Sequence, residues 1–274
     1  MGAKEEIKAN ERFEFGENWA KFLEQMDDER IAASMLALKS MLASTSLAGK
    51  RFLDIGSGSG LSSLAARKLG AKVYSFDYDP QSVACTRELK RRYFVDDDDW
   101  TIAEGSVLDK EYLTSLGQFD IVYSWGVLHH TGAMWEALAN VDALLSYGGQ
   151  LFIAIYNDQG GTSGRWHKIK QSYTKGGKLK KALLLALVSG YFNSRRLASG
   201  LLRHCDPFYE WKQKESRGMD LRRDMVDWVG GYPFEVARPE QVFDFYYQKG
   251  YTLTRLYTAG GGHACNQFVF EKKV

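Results

Sequence analysis

Three cysteines, Cys85, Cys205 and Cys265, stand far apart in 274 residues. So few, and an odd number, point to reduced thiols in a cytoplasm and exclude a disulfide framework. The sequence has no C-x-x-C and no H-x-E pattern, so metal-ligand spacing is missing and a metal-assisted mechanism is not expected. No stretch reaches the roughly 18 apolar residues of a membrane span; the longest candidate, Ala182 to Val188, is far too short. Met1 to Arg12 is charged and polar, without the apolar run of a signal peptide. Repeats and low-complexity segments are also missing. The expectation is a soluble, cytoplasmic chain; at 45% hydrophobic and 14% aromatic, it is able to bury a core without disulfide or metal.

Acidic residues are missing from one long stretch. Between Gln159 and Cys205 there are ten Lys or Arg and no Asp or Glu, so this segment is near +10 and the rest of the chain near −8. A basic surface on an acidic body attracts an anionic partner, and a solvated lid is the plainer reading. Within it, Lys178 to Tyr191 has a basic face beside Leu183, Leu184, Leu187 and Val188, as helices at a membrane interface do. Burial of that stripe against the protein's own core is the favoured expectation.

Along the chain, Glu5 to Leu47 reads as mostly helical, with Phe13, Phe15 and Trp19 forming an aromatic cluster. From Lys50 the pattern becomes alternating strand and helix. Strands are expected at 51–55, 72–76, 100–104, 119–124 and 149–155. Helices are expected near 61–69, 82–94 and 134–145, with a solvated acidic loop at 96–99. After the basic segment come a helix at 240–249 and strands at 251–258 and 267–272, the last pair joined by a glycine-rich link. Such alternation makes right-handed βαβ units around a parallel sheet, with the final strand antiparallel.

The strongest local signal is Leu53-Asp-Ile-Gly-Ser-Gly-Ser-Gly60 between a buried strand and a helix. Its glycines allow a tight turn and close approach of a ligand to the helix N-terminus. A dinucleotide fingerprint would put its third glycine at Leu61; a ligand with a carboxylate and a ribose but no pyrophosphate is the alternative. Asp77 ends the second strand about 20 residues on, where a carboxylate accepts hydrogen bonds from ribose hydroxyls.

These residues, with Gly105-Ser106-Val107 and Phe119-Asp-Ile-Val-Tyr-Ser-Trp-Gly-Val-Leu-His-His130, resemble the ordered motifs of class I S-adenosylmethionine-dependent methyltransferases. The likeness covers Lys50 to Ile155 and the terminal strand pair. It implies a doubly wound, Rossmann-like α/β sheet of seven strands, the last antiparallel. One domain is then expected: a helical cap (1–48), the Rossmann-like core (49–157 and 236–274) and an inserted basic lid (158–235). The resemblance implies S-adenosylmethionine as cofactor and S-adenosylhomocysteine as product. Asp54 and the turn Gly56, Ser57, Gly58 and Gly60 would hold the methionine portion, and Asp77 the ribose. Tyr78, Ser106 and Val107 would border the adenine, with Ser124 and Trp125 on the methionine side. Many relatives carry Asp where this chain has Ser106, which weakens the expected bond to the adenine amine.

Methyl transfer is an in-line displacement, and for a hydroxyl acceptor a proton must leave. His129 and His130, after the fourth strand, are the candidate general bases, His130 slightly favoured. His263 and Asn266 in the glycine-rich link, Tyr232 in the Gly-Gly-Tyr-Pro turn, and Tyr156 and Asn157 after the fifth strand are candidate acceptor contacts. The expected reaction is O-methylation of a small molecule, an anionic one if the basic lid takes part, with no nucleic acid. The alternatives are an RNA methyltransferase that uses the basic segment, or a non-methylating alkyl transferase or cyclase on the same cofactor.

Overall fold

Arg51–Ile55 (β1) is buried from its second residue onward, as an apolar strand must be when both sheet faces are covered. In the computed structural model, which describes residues 2–203, 221–260, 262 and 264–273, it lies near the middle of a seven-stranded sheet. The other strands are Lys72–Asp77 (β2), Trp100–Glu104 (β3), Phe119–Trp125 (β4), Leu145–Tyr156 (β5), Tyr251–Tyr257 (β6) and Cys265–Lys272 (β7), in spatial order β3-β2-β1-β4-β5-β7-β6. The pairs from β3 across to β5 are parallel, and β7 runs antiparallel to both β5 and β6. The expected doubly wound α/β sheet with a reversed last strand is present. Strand order reverses between β1 and β4, so the crevice beyond their carboxyl ends is the natural ligand site of such a sheet.

Period-two alternation divides the strands between two cores. Leu53, Ile55, Val122, Ile153 and Phe268 face Leu138 and Val141 of Met134–Asp142 (α7) and Val242 and Tyr246 of Pro239–Tyr247 (α11). Phe52, Val73, Ile121, Phe152 and Val269 face the opposite side. They pack on Leu38 of Asp28–Met41 (α3), Leu64 of Leu61–Lys68 (α4) and Leu89 of Pro80–Tyr93 (α5). Ala3–Lys8 (α1) and Phe15–Leu23 (α2) precede these, and Lys110–Leu116 (α6) lies between β3 and β4.

Several expectations need correction. The helix from Met134 stops at Asp142 because Leu144 and Leu145 serve the sheet: Phe119 donates to the Leu144 carbonyl at 2.8 Å, and Leu145 pairs with Phe119. The acidic run is not simply solvated. Asp97 takes two hydrogen bonds from Arg67, at 2.6 and 3.1 Å, which hold its carboxyl below the usual range. Helix α6, too short to show a period, was not anticipated; Asp109 caps it by accepting the Tyr112 N–H at 3.0 Å.

The basic segment is more helical than its sequence suggests, with Gly161–Thr174 (α8), Lys178–Arg203 (α9) and Leu221–Gly230 (α10). Trp166, Tyr173, Val188, Val229 and Phe234 give it a small core of its own. Lys170, read as part of a solvated face, has no exposed surface. Its ammonium donates to the Trp228 carbonyl in the last turn of α10, where unpaired carbonyls favour a cation, and lies 4.5 Å from the Trp228 ring centre and 4.8 Å from that of Phe234.

Candidate functional site

At the end of β1 the chain turns back on itself. The N–H groups of Gly56 and Ser57 both donate to the Phe76 carbonyl of β2, at 2.8 and 3.1 Å. Gly56 has φ +77°, and a Cβ there would stand 2.4 Å from Val127. Gly58 has φ +54°, with Trp19 so close that a Cβ would stand 2.9 Å from its ring. Both positions therefore demand glycine. Gly60, the N-cap residue of α4, completes the turn.

Two carboxylates flank this turn. Asp77 accepts the Gly58 N–H on one oxygen and the Asp79 N–H on the other, each at 2.9 Å. Burial pushes its carboxyl up to about 6 against the pull of those N–H groups. Asp54 accepts the Ser63 hydroxyl at 2.5 Å, and Ser63 continues to Ser75 at 2.7 Å. Burial raises Asp54 to about 7, with Ser63 opposing and the nearby Asp77 adding to the rise. Beside them, Ser106 accepts the Leu108 N–H, and Asn140 holds the Val107 carbonyl at 3.0 Å.

The N-terminal segment closes over this end. Tyr78 donates its hydroxyl to Glu6 at 3.0 Å, and the Arg12 guanidinium lies 5.0 Å from the Tyr78 ring centre. Arg12 pairs with Glu6 at 2.6 Å and donates to the His130 carbonyl at 2.8 Å. Gly16 donates to Asp79 at 2.8 Å, and Phe13 donates to the Tyr232 carbonyl at 2.9 Å.

The crevice continues past Trp125, Gly126 and Val127 to an aromatic far end lined by Phe13, Phe15, His130, Tyr156, Phe192, Met225 and Trp228. Together the two ends form one cavity of about 1010 Å³, at the upper limit of ordinary small-molecule pockets and roomy enough for two ligands. His130 Nδ1–H donates to the Pro233 carbonyl at 2.6 Å, which fixes the tautomer and leaves the Nε2 lone pair available. Burial drives its pKa down to about 3, and the charges of Lys170 and Arg12 push the same way. His130 is therefore neutral at working pH: a hydrogen-bond acceptor of low basicity.

Of the residues proposed from sequence, Asp54, Gly56, Ser57, Gly58, Asp77, Tyr78, Ser106, Val107, Trp125, His130 and Tyr156 line this cavity. Of the rest, Gly60 closes the turn without lining the cavity, and Ser124, His129, Asn157, Asn266 and Tyr232 are bonded within the surrounding fold. Ser124 is fully buried and donates to the Ile55 carbonyl at 3.0 Å, tying β4 to β1. His129 lies behind His130: its Nδ1 accepts the Tyr156 N–H at 3.3 Å, and its buried Nε2 has no partner among the described residues. Asn266 donates to Asn157 at 3.1 Å and accepts the Ala259 N–H at 2.9 Å, a clip between β7 and its loop. Tyr232 accepts a bond from Gln171 at 3.2 Å and packs on His167. His263 lies outside the described residues.

Sequence reasoning did not single out Arg12, Glu6, Phe192, Met225 or Gln267. Arg12 reaches His130 across 118 positions, and no local pattern encodes such a contact. Gln267 accepts the Trp125 indole N–H at 3.2 Å, holding that ring at the junction of the two ends.

The donor set suits a nucleoside bearing an ammonium group: carboxylates for hydroxyls and cation, a bare backbone turn, and Tyr78 and Val107 as flat apolar walls. Residues 53–151 match the family model of a methyltransferase domain. Over 108 residues the chain is 33% identical to a tRNA U34 carboxymethyltransferase of Methylococcus capsulatus, covering 39% of this chain and 32% of that protein. Over 124 residues it is 31% identical to a ubiquinone biosynthesis O-methyltransferase of Nitrosococcus oceani, covering 44% of this chain and 50% of the relative. The chain thus spans 32% to 50% of the length of these curated relatives. In fold it is similar to the magnesium protoporphyrin IX methyltransferase of Synechocystis PCC 6803, solved with bound S-adenosylhomocysteine. The TM-score is 0.53 at 13% identity, over 89% of this chain and 84% of the other.

Proposed function

We propose that this chain, whose residues 53–151 match a methyltransferase domain, is a class I S-adenosylmethionine-dependent methyltransferase that methylates an oxygen atom of a small, largely apolar acceptor with an acidic hydroxyl or carboxyl group. The observation that carries the reading is the single cavity joining the carboxylate-lined turn to an aromatic chamber at His130. S-adenosylmethionine, the cofactor of this family, supplies a methyl group on a positively charged sulfur. Asp77 receives the ribose hydroxyls, Asp54 and the turn from Gly56 to Gly60 receive the amino-acid portion, and Tyr78, Ser106 and Val107 border the adenine. Trp125 separates the two ends.

In the chamber, Phe13, Phe15, Tyr156 and Trp228 hold a flat apolar body and exclude water, which strengthens the attraction between an anionic acceptor oxygen and the sulfonium. His130 Nε2 accepts a hydrogen bond from an N–H or O–H of the acceptor other than the ionised oxygen, and so orients it. With its pKa near 3, His130 is a poor match for a strongly basic role, which favours an acceptor that ionises by itself. Arg12, which donates to the His130 carbonyl at 2.8 Å, brings positive charge to this end of the cavity.

The test is incubation of the protein with isotopically labelled methyl donor and cell extract. Label in the small-molecule fraction, with S-adenosylhomocysteine as the co-product, is the expected result. Label in RNA would overturn the acceptor class, and accumulation of methylthioadenosine would overturn methyl transfer itself.

A further inference from the structure

Helix α9 has two faces of different kinds. Val188 is buried, and Leu184, Leu185 and Phe192 pack against the insertion's core. On the opposite side Leu179 is 86% exposed, Leu183 58%, Leu187 61% and Tyr191 49%. Ala182, Ala186, Gly190 and Ser194 lie on that side as well. The stripe expected to be buried is thus split: half enters the core and half faces out. From Ala182 to Ser194 the outward face carries no charge over roughly 18 Å, at about 1.5 Å per residue.

Charge surrounds this face. Arg165, Lys168, Lys175, Lys178 and Lys180 are exposed on α8, α9 and the link between them, and none forms an ion pair among the described residues. The segment from Gln159 to Cys205 contributes no acidic side chain. An uncharged leucine face bordered by unpaired lysines is the pattern of a helix that lies in a membrane interface rather than crossing it. No helix among the described residues is long and apolar enough to span a bilayer. RNA would use the cations but leaves four large apolar side chains without a role.

We propose that α9 docks this protein on an anionic lipid surface, its outward leucine face sunk among the headgroups and its flanking lysines on the lipid phosphates. Phe192, midway along the same helix on its core-facing side, lines the acceptor end of the cavity, so docking would hold that chamber about one helix diameter from the bilayer, roughly 10 Å. The docking itself does not depend on which molecule is methylated.

Co-sedimentation of the full chain with phosphatidylcholine vesicles, with and without phosphatidylglycerol, tests this. Binding only to the anionic vesicles, weakened by salt, is expected. Leu183→Glu with Leu187→Glu should lower the partition coefficient about a hundredfold, taking each leucine as worth about tenfold, and leave the circular dichroism and cofactor binding unchanged, since both side chains are exposed. Equal binding to both vesicle types would overturn the charge argument. Failure to sediment, with a wild-type dimer that the double variant makes monomeric, would assign the face to a second copy and overturn the proposal. So would retention of RNA at physiological salt without any vesicle binding.

Discussion

Replacing Asp77 by Asn separates the chemistry of the nucleoside end from its shape. Each Asp77 oxygen accepts one backbone N–H, from Gly58 and from Asp79. Asn has one acceptor oxygen, so its amide must face one of those donors and a charge-assisted bond is lost, a cost of about 1.5–3 kcal/mol. That cost falls on the free and the bound fold alike; the loss of negative charge toward the ribose hydroxyls is what enters affinity, about 1.5–3 kcal/mol or roughly 10–150-fold in Kd. Calorimetry with S-adenosylhomocysteine at about pH 8 reads this directly. The wild type carries an independent check. Ligand binding needs both Asp77, at about 6, and Asp54, at about 7, in ionised form. Between about pH 8 and pH 5.5 the fraction with both ionised falls about a hundredfold, and affinity should fall with it. Both carboxyls hold protons more tightly in the fold than in the unfolded chain, where the value is 3.8. They therefore destabilise the ligand-free fold as pH rises from about 4 through 7, the opposite direction to ligand affinity. In the Asn variant only the Asp54 step should persist. An Asn variant that binds within about threefold of wild type, or a wild-type affinity flat over this pH range, would refute the argument.

Other perturbations act elsewhere in the cavity. Gly56→Ala should reduce cofactor affinity at least about tenfold by calorimetry, since its methyl group would overlap Val127 and the left-handed backbone disfavours alanine. His130→Ala should lower kcat/KM by about 10–100-fold. With a pKa near 3 in the wild type, His130 should leave no inflection between about pH 5 and 8 in the rate profile; a wild-type inflection near 6.5 that the alanine variant lacks would show a conventional histidine base. Lys170→Met should destabilise the chain by about 2–4 kcal/mol in urea unfolding, because it strips the Trp228 carbonyl of its buried donor; a neutral result would mean that the aromatic packing alone holds the insertion.

The sheet was legible because each strand is a short apolar run set between helices of clear period, and the carboxylate end because its parts are close in sequence. Asp77 stands 19 positions from Gly58, and a turn, a strand and a carboxylate in that order leave little freedom. The acceptor end was much less legible. Its walls come from residues 13, 15, 130, 156, 192, 225 and 228, brought together only in the folded chain. Polarity misled in both directions there. Asn266 beside a glycine-rich loop looks like a ligand contact and is a backbone clip; Lys170 in a basic run looks solvated and is buried under aromatic rings. The length of α9 was misjudged for a local reason: Ser189, Gly190, Asn193 and Ser194 are weak helix formers, yet the helix runs through to Arg203.

The stretch from Arg12 to Gly16 is fastened at both ends of the crevice, to Tyr78 and Asp79 on one side and to His130 and Tyr232 on the other. A clasp held at two points cannot lift from one without straining the other. On the proposed reading, release of this short strap would couple departure of the spent nucleoside to departure of the product, and would pace turnover.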